Sequence, residues 1–134
     1  MTLTQRSATL IDFPARPADD AALFIYEHKS RVPFTIERVF VIRAEQACVR
    51  GQHAHRACHQ LLICLEGRVE VIIDDGKTKS TIILDRADQG LLIPAGLWGQ
   101  QHYDAGSILM VLASLPYDEA DYIRDYDAFL KFAG

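Results

Sequence analysis

The sequence predicts an all-β domain, an antiparallel sandwich or barrel, with a short helix near the C-terminal end. Two observations predict this fold. Short apolar or alternating runs recur roughly every ten to fifteen residues between positions 35 and 114, with no convincing helical period between them. The segment 116–132 instead spaces its apolar residues as a helix does. Since no repeat or linker divides the 134 residues, we expect one domain over 1–134.

Six runs are predicted as strands, and in chain order they are 35–44, 60–67, 68–74, 80–85, 89–96 and 107–114. The sequence DDGK between the third and fourth runs indicates a hairpin, because Asp-Gly tolerates positive φ. In the run 60–67, Gln60 shares one face with Leu62 and Cys64. Both faces of that strand contain apolar residues, so alternation does not decide which one points inward.

Net charge and composition exclude some classes of partner and location. A formal net charge of −4 argues against nucleic-acid binding, which usually needs a basic face. No apolar run reaches the ~18 residues of a membrane-spanning helix, and the first 20 residues lack the apolar core of a signal peptide. Three cysteines without an export signal favour reduced thiols, so we expect a cytoplasmic protein.

The C-terminal segment carries an apolar stripe formed by Tyr122, Ile123, Tyr126, Phe129 and Leu130. This spacing predicts a turn or two of helix that packs on the barrel or on a partner chain. We interpret it as a capping helix without a chemical role.

Three histidines lie within seven positions, and two of them, His53 and His55, are spaced i, i+2. On a strand such residues point to the same face, so both imidazoles would enter one cavity if that face lines a barrel. Histidine has an unperturbed pKa of ~6.5 and can both accept and donate a proton near neutral pH. The pair therefore fits either a metal site or metal-free proton transfer.

The pattern G-x-H-x-H-x₄-Q-x₆-G, from Gly51 to Gly67, resembles the first motif of the cupins, which are small jelly-roll β-barrels. That motif normally supplies a Glu as third metal ligand, and here Gln60 is the candidate. In the second motif, the position expected for a fourth ligand, a histidine, is Gly99. A catalytic zinc site usually needs three protein ligands, and the iron triad needs a carboxylate. We therefore expect no metal; a structural zinc site with Cys48 and Cys58 beside the histidines fits no common spacing.

A closer resemblance is to the nucleotide-sugar 3,4-ketoisomerases that act on dTDP-4-keto-6-deoxyglucose. It is carried by RVPFTIERVF (31–40), RGQHAH (50–55), LICLEGRVEVIIDDGK (62–77), GLLIPAGLW (90–98), VLAS (111–114) and YDEADYIRDYDAF (117–129). The resemblance implies a cupin jelly-roll barrel that uses no metal or other cofactor. It also implies a homodimer with exchanged strands, and a step in deoxysugar biosynthesis for lipopolysaccharide O-antigen or S-layer glycans.

The same resemblance implies that His53 and His55 are the catalytic residues. The carbonyl would move from C4 to C3 through an enediol, which needs an acid/base but no redox cofactor. We expect His53 to remove the C3 proton and His55 to shuttle protons between the oxygens or deliver one at C4, and the two roles could be exchanged.

Five residues are predicted to bind substrate. Arg50 and Arg38 are candidates for the diphosphate, and Gln60 for a sugar hydroxyl or a histidine nitrogen. Trp98, in a glycine-rich segment predicted as a loop, could form the sugar pocket or stack on thymine. Tyr103 is a weaker candidate of the same kind.

Several alternatives stay open at this point. Family members are expected to carry a larger side chain at the position of Gly99, so the C4 configuration of the product is not fixed. A dTDP-4-keto-sugar 3,5-epimerase would share the barrel and the histidine chemistry. A non-catalytic sugar-binding or regulatory cupin fits the lost metal ligands equally well, and a metal-dependent cupin is a third alternative.

Overall fold

A computed structural model describes residues 7–134, and it has two five-stranded sheets, one two-stranded sheet and a C-terminal helix. The strands are β1 (Thr9–Asp12), β2 (Ala15–Pro17), β3 (Ala22–Phe24), β4 (Arg38–Arg43), β5 (Cys48–His55), β6 (Gln60–Glu66), β7 (Val69–Asp74), β8 (Lys79–Leu84), β9 (Gln89–Ile93), β10 (Trp98–Tyr103), β11 (Ile108–Ala113) and β12 (Tyr122–Ile123). The sheet orders are β1-β9-β6-β11-β4 and β12-β5-β10-β7-β8, with antiparallel pairing throughout. The predicted all-β barrel with a short C-terminal helix is confirmed.

Each of the six predicted runs contains a strand, and the DDGK hairpin joins β7 to β8. Gly76 has a φ of 96°, which explains the glycine in this turn. The interpretation of the segment around Trp98 as a loop was wrong, because β10 begins at that residue. Gly99 is a weak strand former, but it pairs with His53 on one side and Ile73 on the other. Pairing on both sides outweighs the low propensity of one glycine.

Both faces of the central strand β6 in the β1-β9-β6-β11-β4 sheet are buried over Leu61–Cys64. Leu62 and Cys64 belong to the barrel interior, whereas Leu61 and Ile63 pack on the outer face. The outer cluster is completed by residues from the N-terminal third of the chain, namely Phe13, Val32 and Phe34. Each buried leucine stabilises the fold by about 1.5–3 kcal/mol. Gln60 shares the inner face of β6, which alternation alone did not decide.

The C-terminal segment is not one helix. A 3₁₀ turn (Glu119–Asp121) leads into β12, and helix α1 occupies only Tyr126–Ala133. The helix begins there because the side chain of Asp125 accepts a hydrogen bond from the N–H of Ala128. Thus two of the five residues of the predicted apolar stripe, Tyr122 and Ile123, belong to a strand that pairs with β5.

Helix α1 lies against the outer face of the second sheet. Phe129 is fully buried and forms a small cluster with Ala54 and Ile123. Tyr126 donates a hydrogen bond of 2.5 Å to Oδ2 of the buried Asp74, which attaches the helix to β7. Among the described residues, no helix has the length and apolar character needed to cross a bilayer.

Candidate active site

Strand β5 carries both histidines of the predicted pair and places their rings side by side. The ring centroids of His53 and His55 are 4.9 Å apart. His55 is buried, with only 8% of its surface exposed, and His53 is partly buried. The C-terminal end of β5 is held by β10 on one side and β12 on the other, so the backbone under both rings is fixed. The structure therefore brings the two imidazoles together as the i, i+2 spacing predicted.

Asp121 orients His55 by a direct hydrogen bond. Nδ1 of His55 lies 2.9 Å from Oδ2 of Asp121. The same carboxylate accepts hydrogen bonds from the backbone N–H of Ala57 at 2.7 Å and of Cys58 at 3.3 Å. Because an ionised carboxylate only accepts, Nδ1 of His55 is the protonated nitrogen and Nε2 is left as an acceptor. That Nε2 atom is buried and has no hydrogen-bond partner among residues 7–134.

Tyr122 on β12 contacts both histidines. Its ring centroid lies 4.9 Å from that of His53 and 4.4 Å from that of His55. The guanidinium of Arg124 lies 4.3 Å above the centre of the same ring. Arg124 is held by two hydrogen bonds to Glu119, of 2.7 and 3.0 Å. The segment 119–124 therefore forms one wall of the site, a contact that the interpretation of the C-terminal segment as a capping helix did not anticipate.

A cavity of about 430 Å³ opens beside His53 at the inner face of the barrel. It is lined by three of the predicted binding residues, Arg38, Arg50 and Gln60. Arg124, which the sequence did not single out, lines it as well. Three guanidinium groups around one cavity favour an anionic ligand such as a phosphate ester. His55 does not line this cavity but a much smaller adjoining one of about 10 Å³.

Burial sets the protonation state of both histidines. Burial is the main reason that the pKa of His53 falls to about 4. The nearby His55 and Arg124 make smaller contributions to the same reduction. Burial also lowers the pKa of His55, although its hydrogen bond to Asp121 acts in the opposite direction. Both rings are therefore neutral at pH 7, and a neutral imidazole can act as a base.

Trp98 and Tyr103 are not brought to this cavity. Trp98 pairs with Ala54 whereas Gly99 pairs with His53, so the indole lies on the opposite face of the sheet. It packs against Tyr126, with ring centroids 5.2 Å apart, and lines a separate cavity of about 470 Å³. Tyr103 is buried in the barrel core, which raises its pKa to about 12.

The alternative zinc site is not assembled as the spacing would require. Among the described residues, His55 lies near Cys58 and Asp121, and neither Cys48 nor His53 belongs to that group. A Cβ added at Gly99, the position expected for a fourth ligand, would make only ordinary contacts with Ile73 and Gln101.

The two facing sheets and the pair of histidines on an inner strand define a cupin-type β-barrel with a candidate catalytic site. The family model described as "FdtA: WxcM-like, C-terminal" matches residues 6–134, and the chain belongs to this family. The sequence had indicated the same family.

Relatives named as 3,4-ketoisomerases or oxoisomerases are similar to this chain in sequence, and the solved ones are also similar in fold. A TDP-4-oxo-6-deoxy-α-D-glucose-3,4-oxoisomerase from Aneurinibacillus thermoaerophilus is 41% identical over 115 residues, 83% of this chain and 81% of the relative. A 3,4-ketoisomerase from Helicobacter canadensis is 34% identical with a TM-score of 0.92, covering 96% and 98% of the two chains. A His-to-Asn variant of the 3,4-ketoisomerase QdtA from Thermoanaerobacterium thermosaccharolyticum, solved with TDP-4-keto-6-deoxyglucose, is 36% identical. Its TM-score is 0.89, and 94% of this chain and 93% of that chain are covered.

The rival epimerases are more distant. A 4-keto-6-deoxy sugar epimerase from Streptomyces spheroides has a TM-score of 0.76 but only 16% identity, over 90% of this chain and 70% of that one. This likeness shows a common fold and no more.

Proposed function

We propose that the chain is a 3,4-ketoisomerase that converts dTDP-4-keto-6-deoxyglucose to a dTDP-3-keto-6-deoxyhexose. The observation that carries the proposal is His53 on the wall of an arginine-lined cavity, beside a second histidine that Asp121 orients. The relatives named as 3,4-ketoisomerases support the reaction and the substrate.

The cavity can accept a sugar joined to a diphosphate. Its volume of about 430 Å³ falls within the usual range of small-molecule sites. Arg38, Arg50 and Arg124 supply the positive charge that a nucleotide diphosphate needs. Gln60 offers both an amide donor and an acceptor to a sugar hydroxyl. Trp98 lies outside this cavity, so its stacking on the thymine stays a prediction.

His53 is proposed as the base that removes the proton from C3. Its ring reaches the cavity, and its low pKa keeps it neutral and ready to accept. The carbonyl at C4 acidifies the hydrogen on C3, and its loss leaves an enediolate with the negative charge on O4. His53 then returns the proton to C4 rather than to C3.

His55 is proposed to move the second proton, from O3 to O4. Its Nε2 would accept the proton of the C3 hydroxyl once the bound sugar reaches the small adjoining cavity that His55 lines, while Asp121 stabilises the positive charge on the ring. The same nitrogen then protonates O4. The hydrogen of C3 thus moves to C4 and that of O3 moves to O4, so the sugar is neither oxidised nor reduced overall. The opposite assignment of the two histidines stays open.

Proton NMR of the 4-keto substrate in D₂O tests the proposal. We expect the wild type to form a 3-keto product, and His53→Asn to lose both the product and hydrogen exchange at C3. His55→Asn is the matched variant, and it should retain C3 exchange while product formation slows. Exchange at C5 would indicate the 3,5-epimerase instead, and dTDP binding without any exchange would indicate a non-catalytic sugar-binding cupin. Comparable turnover by His53→Asn would contradict the assignment of the base.

We also propose a homodimer, and the observation that supports it is the exposed apolar face of β4. The outer face of β4 leaves Val39 and Val41 each 55% exposed, and β4 is one of the two edge strands of its sheet. An apolar edge strand without a partner is a candidate for association with a second copy. Sedimentation of the wild type should give the mass of two chains, and Val41→Lys should lower it. Strand exchange within this dimer stays a prediction.

We also propose that the protein is cytoplasmic. The three cysteines are free thiols, as a reducing compartment requires.

A further inference from the structure

One thiol lies beside the catalytic pair and has no part in the proposed reaction. Cys58 is buried, with 6% of its surface exposed, and it lines the cavity of about 10 Å³ together with His55 and Asp121. One nitrogen of His55, Sγ of Cys58 and one carboxylate oxygen of Asp121 all lie within 4.8 Å of one another. Among the described residues, no other group of histidine, cysteine and acidic side chains is as close.

We propose that these three residues bind one divalent cation of the zinc class, and that binding inhibits the enzyme. Thiolate, imidazole and carboxylate are the ligands that zinc selects, whereas magnesium and calcium prefer oxygen alone. A catalytic zinc site usually has three protein ligands and one open coordination position.

The geometry needs only a small adjustment to hold the ion. Ligand atoms around tetrahedral zinc are about 3.5 Å apart, so the widest pair must close by roughly 1 Å. Asp121 is already fixed by the backbone N–H groups of Ala57 and Cys58. A cavity of about 10 Å³ has room for about one water-sized sphere, and a zinc ion is smaller.

The charges in this cavity are mixed. Arg38 lines it and opposes a cation, whereas Asp118 and Asp121 favour one. Binding releases the thiol proton of Cys58 to solvent as the sulfur–metal bond forms. The proton on Nδ1 of His55 moves to the free Nε2 as the nitrogen–metal bond forms, and nothing is oxidised or reduced. The added negative charge on sulfur offsets Arg38.

Inhibition follows from the double use of His55. The ligated nitrogen can no longer share its proton with Asp121, and the ring can no longer carry a proton between the sugar oxygens. The inhibition rests on the proposed function, whereas the binding of the zinc-class ion does not.

Metal titration of the purified chain without substrate tests the site. Cadmium should produce a thiolate charge-transfer absorption equivalent to one site per chain, and calorimetry should show one zinc site. Cys58→Ser should lose the absorption and weaken zinc binding by at least about ten-fold. Cys48→Ser is the matched control because Cys48 lies outside the group, and it should behave as wild type. Cys58→Ala, with its melting temperature measured, replaces the serine variant if that one fails to fold.

Unchanged zinc affinity in both Cys58 variants, or an absorption lost in Cys48→Ser, would overturn the site. So would a wild type that binds neither metal.

In the activity assay, zinc should inhibit the wild type and Cys48→Ser at similar concentrations, and Cys58→Ser should need at least about ten-fold more zinc for the same inhibition. A chain that binds zinc at Cys58 but has no ketoisomerase activity would contradict the proposed function and leave the metal site intact.

Discussion

The interior of the barrel has two halves that differ in what their side chains do. The packed half is the apolar interior on β7, β8 and β9, represented by Val69, Val71, Leu84 and Leu91. The cavity half is the wall that presents charged and polar groups, namely Arg38, Arg50, His53, Gln60 and Gln101. The side chains of both halves point into the barrel. The same inner face therefore forms hydrophobic core along some strands and a binding site along others.

The comparison shows how a small barrel tolerates a polar interior. Polar groups without partners would destabilise a closed core, but here they face a cavity that a ligand can fill. The packed half supplies the stability that holds the cavity open. Substitutions in the cavity half should therefore change activity more than stability, and substitutions in the packed half should do the reverse.

After His53→Asn, the largest expected effect on activity follows from Asp121→Asn, which acts on His55 beside the cavity half. This change removes the carboxylate that fixes the tautomer of His55 and stabilises its protonated form. We expect kcat to fall by about 10²–10⁴-fold with a much smaller change in KM. Steady-state kinetics measures both, and Asp118→Asn, on a neighbouring carboxylate, is the control. A large rise in KM with unchanged kcat would assign Asp121 to binding rather than to positioning.

In the packed half, Leu84→Ala should give the largest loss of stability. Leu84 is 1% exposed, and its truncation should lower the free energy of unfolding by about 2–5 kcal/mol. Urea denaturation followed by circular dichroism measures this loss. Activity per folded molecule should stay near the wild-type value. A selective loss of turnover would show that the two halves are coupled.

The pH dependence sharpens the same distinction. Burial lowers the pKa of His53 to about 4 in the folded chain, against about 6.5 when unfolded. The unfolded chain therefore binds a proton between these values that the folded chain does not, and stability falls as pH drops through this window. The acid limb of kcat/KM should likewise lie below pH 6.5. His53→Asn should show a weaker dependence of stability on pH over the same range.

The smallest expected effect comes from the contact that attaches α1 to the outer face of β7, one of the strands of the packed half. Tyr126→Phe removes the hydroxyl that donates to Asp74. We expect the free energy of unfolding to fall by about 1–3 kcal/mol, because Asp74 is buried and keeps only its bond from the N–H of Gly76. Thermal melting measures the change. No measurable change would indicate that ring packing against Trp98 and Phe129 holds the helix.

The sequence predicts the parts of the site that lie close together along the chain. His53, His55 and Gln60 follow from strand alternation and a short motif. Asp121 was missed because its partner His55 is 66 residues away, and hydrogen bonds of that range leave no local pattern. Tyr122 was assigned to a helix since its spacing also fits a helical stripe. The strand β10 was missed because Gly99 has low strand propensity and its two neighbouring strands supply the pairing.

The active site is complete only after β12 has paired with β5. A polypeptide interrupted before residue 121, during synthesis or by a protease, would contain every strand of the two sheets except β12, and both imidazoles. It would lack the carboxylate that orients one of them and the aromatic ring that touches both. Such a fragment would carry both histidines without the groups that position them, so the amount of chain made and the amount of working enzyme are separate quantities in a cell.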